Sequence, residues 1–120
     1  MIHEIPLSIS SEELVQRLGT PKEQKENRIG LEEFHFGEGI WRFGKDGRLN
    51  EVTIEAPDIT ISGVTVPFEG LKNKIETEDS EYFESFGFTV SPKNGIAFDP
   101  EHPPYLTILT KLGLKKWKEI

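Results

Sequence analysis

Three histidines, His3, His35 and His102, are the side chains best suited to proton transfer near neutral pH or to transition-metal ligation. No two stand at the i, i+4 spacing that a helix turns into a metal clamp, so any site would have to be assembled by the fold. His35 alternates with Phe34 and Phe36 and falls on the polar side of a strand. His102 lies in Asp99-Pro100-Glu101-His102-Pro103-Pro104, a proline-stiffened loop whose two carboxylates and imidazole have the chemistry for metal binding or acid–base work. No second cluster accompanies it, and a solvated connecting loop is the expectation. Nucleophile and phosphate motifs are missing from the sequence: there is no G-x-S-x-G, no Walker A loop and no G-x-G-x-x-G. Gly37-Glu38-Gly39 opens no helix, and Ser80, Ser85 and Ser91 have no histidine near them in sequence. No catalytic residue, metal site or cofactor is expected.

The densest charge is acidic. Glu76, Glu78, Asp79, Glu81 and Glu84 fall within nine residues. Calcium takes oxygen ligands, but the central glycine and terminal glutamate of an EF-hand loop are not at their spacing here. A solvated charged segment is the plain reading. The sharper one is a recognition patch of Glu76, Glu78, Asp79, Glu81, Tyr82 and Glu84, because aromatics ringed by carboxylates suit the centre and rim of a protein interface. Tyr82 and Phe83 would be its anchors, with Phe83 also suited to a core. Trp41 and Trp117 have the surface to line a ligand pocket, although large aromatics in a small domain belong more often to the core.

The balance of 21 acidic and 14 basic residues gives a net charge of −7 over 120 residues. That argues against a nucleic-acid partner, which needs a basic face to displace counterions from phosphates. It suits a basic protein partner, whose approach an acidic surface accelerates, and it also keeps a small domain soluble. There is no cysteine, so disulfides and thiolate metal sites are excluded. The N-terminal MIHEIPLSIS has no signal-peptide pattern, and no apolar run is long enough to span a bilayer. Cytoplasmic residence, no membrane partner, and a monomer or weak homodimer are the expectations.

The element that organises the chain is Gly39–Pro57. Trp41 and Phe43 alternate with Ile40 and Arg42. Lys45-Asp46-Gly47 supplies a turn, and Val52, Ile54 and Ala56 then face away from Glu51, Thr53 and Glu55. Asp-Gly between two alternating runs is a strong hairpin signal. Leu49 is out of phase, which places a bulge near Asn50. Before the hairpin, Ile2–Leu7 reads as an edge strand. Ser10 and Glu13 form a capping box for a helix over 11–18 that Gly19 ends. Residues 21–28 read as a loop and Leu31–Phe36 as a strand. After the hairpin, Asp58–Pro67 reads as a bent strand or two short ones, and Phe68–Ile75 as one or two helical turns. Phe86–Val90 and Ile96–Phe98 form a second hairpin around Ser91–Gly95. Tyr105–Leu109 is strand-like, and the basic tail ends as a helix packing Leu112, Leu114 and Trp117. Gly39-Ile40-Trp41-Arg42-Phe43 is echoed by Gly95-Ile96-Ala97-Phe98, and Ile5-Pro6 by Val66-Pro67, as if one unit of strand, helix and meander were used twice. The expected fold is a single α+β domain over 1–120, an antiparallel meander with short helices on one face and two weak pseudo-repeats.

The run Glu12-Glu13-Leu14-Val15-Gln16-Arg17-Leu18-Gly19-Thr20-Pro21, followed by Trp41 to Val52 with its Asp46-Gly47 turn, resembles small bacterial domains. In these a short helix closing on L-G-x-P precedes a meander with an aromatic strand. β-Lactamase-inhibitor-like lipoprotein repeats share this grammar, as do small acidic immunity proteins encoded beside secreted toxins. The likeness spans about residues 10–56 and, more faintly, 64–110. The lipoprotein branch is disfavoured because a signal and a lipidated cysteine are missing. The resemblance implies a non-enzymatic binding protein that occludes a basic toxin domain. A small enzyme or ligand-binding domain with a pocket under Trp41 or near His102 is the alternative, and an assembly module working through sheet edges is a third.

Overall fold

The computed structural model describes residues 5–37 and 39–120. Residues 2–4, half of the proposed N-terminal strand and including His3, lie outside them. Residues 5–8 form a bend and turn rather than a strand, closed by the Ile9 N–H on the Pro6 carbonyl.

Helix α1 spans Ser11–Leu18 and is set by local chemistry. Ser10 Oγ accepts from the Glu13 N–H while Glu13 Oε1 accepts from the Ser10 N–H, which satisfies two orphan donors reciprocally. Strands β1 (Glu23–Glu26), β2 (Glu32–Phe36), β3 (Gly39–Phe43) and β4 (Leu49–Glu55) follow as a meander. The expected loop at 21–28 is therefore in part a strand. All four β1 side chains are exposed, so no alternating pattern betrays it. Its pairing comes from the Asn27 turn, where Oδ1 accepts from the Ile29 and Leu31 N–H groups and aligns Glu26 with Glu32. The bulge near Asn50 is present: Arg42 pairs with Glu51 and Phe43 with Leu49, leaving Asn50 without an opposite residue.

Strands β5 (Asp58–Ile61) and β6 (Val64–Pro67) make a separate two-stranded hairpin. Helix α2 runs over Phe68–Glu78, longer than the turn or two expected, and buries Phe68, Leu71 and Ile75. A second meander then forms from β7 (Phe83–Ser85), β8 (Phe88–Ser91), β9 (Ile96–Phe98) and β10 (Tyr105–Leu109), and helix α3 (Lys111–Glu119) closes the chain. Strand β7 was hidden in the acidic run. The second hairpin strand starts at Phe88 rather than Phe86, because Phe86-Gly87 is the turn between β7 and β8.

The sheet order is β1-β2-β3-β4-β10-β9-β8-β7, antiparallel throughout. The pseudo-repeat is thus plain in the topology. Each half is a helix followed by a four-stranded meander, and the halves join through their last strands, with Ile54 opposite Leu106. The echoed segments around Trp41 and Ala97 are the third strands of the two meanders. Antiparallel joining relates the halves by an approximate two-fold axis through the sheet, which keeps both helices on one face.

On that face α1 packs Leu14 against Phe34, Trp41, Phe43 and Val52, and α2 packs its apolar stripe against Ile96, Phe98 and Leu106. Ile54 touches both clusters. Trp41 is 1% exposed and belongs to this core. Helix α3 takes the opposite face, with Leu114 and Trp117 against Val90, Ala97 and Leu109. Among the described residues no helix is long and apolar enough to cross a membrane.

Candidate functional site

The acidic run does not form one continuous surface. Glu76, Glu81 and Glu84 are exposed, and Glu78 pairs with Lys74 one helical turn away. Asp79 is 1% exposed and is removed from any recognition patch. It is the C-cap residue of α2, and its carboxylate gathers three donors: Ser91 Oγ at 2.7 Å, the Glu81 N–H at 2.9 Å and the Lys93 N–H at 3.1 Å. Burial opposes its charge, but these hydrogen bonds outweigh burial and hold its carboxyl below the usual aspartate value. Tyr82 is half-buried and packs against the α2 core.

This assignment has a pH signature. A carboxyl whose folded pKa lies below its unfolded value adds stability above the unfolded value, and that stability is lost as the pH falls through the folded one. Asp79→Asn should cost about 2 kcal/mol at pH 7, because one accepting oxygen and its charge are lost from a buried site. The gap to the parent chain should narrow below about pH 4, as Asp79 itself takes a proton. Urea unfolding of both proteins across that range measures it.

The aromatic that the acidic edge displays is Phe86. It is 79% exposed at the tip of the β7–β8 hairpin, and its φ is +52°. Gly87 follows at +84°, so both central turn residues are left-handed, the geometry that matches the twist of a two-residue hairpin. The same turn between β5 and β6 uses Ser62 and Gly63. A side chain with a bulky Cγ is poorly suited to the left-handed region, where the position costs about 1–2 kcal/mol. The chain thus keeps a large apolar ring at a strained, solvent-facing position, with Glu84 nearby on β7. Phe86→Gly should relieve the strain and raise the melting temperature by about 3 °C, the shift that about 1 kcal/mol gives a domain of this size. Calorimetry reads this directly.

A second feature lies on the sheet face that α3 partly covers. Arg42 of β3 donates through Nε to Glu33 Oε2 at 2.6 Å, and through Nη1 to Glu51 Oε2 at 2.8 Å and Thr53 Oγ1 at 2.7 Å. Glu33 Oε1 meets His35 Nε2 at 3.1 Å, and Glu51 Oε1 accepts from Trp117 Nε1 at 2.9 Å. Thr53 Oγ1 reaches Thr107 Oγ1 at 2.8 Å. Burial opposes the charge of Glu33, and the bonds from Arg42 and His35 overcome it, leaving its carboxyl lowered. The network floors an open groove of about 530 Å³, which Phe88, Asp99, His102 and Tyr105 also line.

His102 is brought to this groove as an exposed imidazole with Nδ1 2.7 Å from Asp99 Oδ2. Asp99 is held below its usual value by the Glu101 N–H first and by His102. Among the described residues no three histidine or carboxylate side chains converge as a metal-binding group. The alternation in sequence puts His35, Glu51 and Thr53 on polar strand faces, and Glu33 shares the His35 face of β2. Joining them required the register that sets Arg42 opposite both Glu33 and Glu51. The signal for Phe86 was the Phe-Gly pair between two short apolar runs. Comparison of the chain with protein-family models, with curated proteins and with solved structures gives no match.

Proposed function

We propose that this chain is a non-enzymatic protein-binding module of the immunity kind, which binds and neutralises a cognate bacterial toxin domain in the cytoplasm. The observation that carries the reading is Phe86, a strained ring held out at a hairpin tip. Strain persists where the surrounding fold enforces it, and it gathers at sites of use. An exposed aromatic at a hairpin tip, with Glu84 two residues away on β7, has the makings of an interface anchor. The exposed Glu76, Glu81 and Glu84 of the same chain segment, with the net charge of −7, favour a basic partner.

The roles divide between rate constants. Phe86, as the anchor, governs dissociation, and the carboxylates govern approach. With the product of the gene directly upstream as the trial partner, Glu76→Gln, Glu81→Gln and Glu84→Gln combined should lower the on-rate about tenfold at low salt and flatten its salt dependence. An unchanged on-rate removes these carboxylates from the account.

A further inference from the structure

The groove beside α3 holds two buried carboxylates and one permanent cation. Glu33 and Glu51 are 8% and 7% exposed, and both lean on the single guanidinium of Arg42. The two buried carboxylates share one permanent cation, with the His35 imidazole as the other partner of Glu33, so the floor is net negative wherever that imidazole is neutral, and unbalanced charge in a partly dry site is costly until a counter-charge arrives. Each of their four oxygens carries one hydrogen bond, to Arg42, His35 or Trp117. A carboxylate oxygen has two lone pairs, so each can accept once more. The wall is aromatic: the rings of Phe88 and Trp117 lie 5.1 Å apart, and Trp117 is fixed by its bond to Glu51. A third carboxylate, Asp99, stands on the same lining. The volume of about 530 Å³ is that of a small-molecule or single-side-chain site.

We propose that this groove binds a flat organic cation, a guanidinium or amidinium group, which sits against Trp117 and is neutralised by the Glu33–Glu51 floor. The pieces match the two ways such a group is recognised, paired acceptors in the plane and an aromatic face beside it. The group can reach the groove as a free small molecule or as an arginine side chain of another protein. This site is separate from the Phe86 edge and stands or falls without it.

The test follows the Trp117 indole N–H by ¹⁵N NMR while benzylguanidine, agmatine, acetyl-Gly-Arg-Gly-amide and the neutral isostere benzylurea are added in turn. A saturable shift of Trp117, but not of core Trp41, is expected with benzylguanidine at a Kd below about 1 mM, weakened about tenfold in Glu51→Gln. Asp99→Asn, which leaves the Arg42 network whole, should weaken it about threefold, and it serves as the reporter if Glu51→Gln does not fold. Tighter binding of the peptide than of agmatine assigns the site to a protein side chain, and the reverse order assigns it to a free cation. No shift up to about 10 mM, or an equal shift with benzylurea, overturns the proposal.

Discussion

Gly113→Ala should destabilise the protein by about 3 kcal/mol, the upper range for forcing extra volume into a packed site. By helix propensity alone the change would help, since glycine inside a helix costs about 1 kcal/mol against alanine. The packing reverses the sign. A Cβ on Gly113 would stand 2.0 Å from the Asn50 carbonyl oxygen and 2.9 Å from its carbon, and both are backbone. Asn50 is the bulge residue of β4, and its carbonyl accepts from the N–H of Thr110 at 3.0 Å and from Thr110 Oγ1 at 2.9 Å. Thr110 Oγ1 in turn caps α3 by accepting from the Gly113 N–H. The bulge, the cap and the bare helix face form one docking point. Alanine must lift α3 from the sheet, which also parts Trp117 from Glu51. Urea unfolding should show the loss. Trp117 fluorescence should show exposure of the indole before global unfolding. A neutral or stabilising outcome would mean that α3 is not held at this point.

Arg42→Met should cost about 3–5 kcal/mol, the range for breaking a buried ion pair from one side. Methionine preserves much of the aliphatic stem, so the loss isolates the guanidinium. Glu33 and Glu51 then face each other across the groove floor without a cation. The pH dependence should change sign. In the parent chain Glu33 is held below its ordinary value of 4.5, so its contribution is present above that value and lost as the pH falls. Without Arg42, burial, the largest influence on Glu33, is opposed only by the His35 bond and raises its pKa, so the variant gains stability as the pH is lowered from about 7 to 5. Equilibrium unfolding at those two pH values tests the sign without depending on the absolute loss.

Local chemistry carried much of this fold in the sequence. Helix α1 announces itself because Ser10 and Glu13 complete a cap within one turn. The β3–β4 hairpin does so because Asp46 Oδ1 accepts from the Arg48 N–H while Gly47 takes the left-handed corner at φ +81°. What stayed hidden depended on pairing and turn geometry that the residue pattern alone does not show. Strand β1 has no apolar side and exists by pairing with β2. Asp79 is written like Glu78 beside it, and what distinguishes them is Ser91 and Lys93, which lie across the α2–β8 junction. Phe83, Phe86 and Phe88 look equivalent as a string. The two-residue turn at Phe86-Gly87 breaks the alternation and sends the middle ring to solvent while Phe83 and Phe88 pack beside Val90. A change of phase by one residue reverses a strand's faces, so the most informative side chain of the edge was also the hardest to place.

The most direct measurement is growth rescue by co-expression with the product of the upstream gene, scored for the parent chain and for Phe86→Gly side by side. The parent chain should restore growth and co-purify with that product. Phe86→Gly, although the more stable protein, should fail to do either. Equal rescue by both chains would contradict the assignment of the hairpin tip as the anchor. No toxicity to relieve, together with no co-purification, would contradict the immunity reading itself.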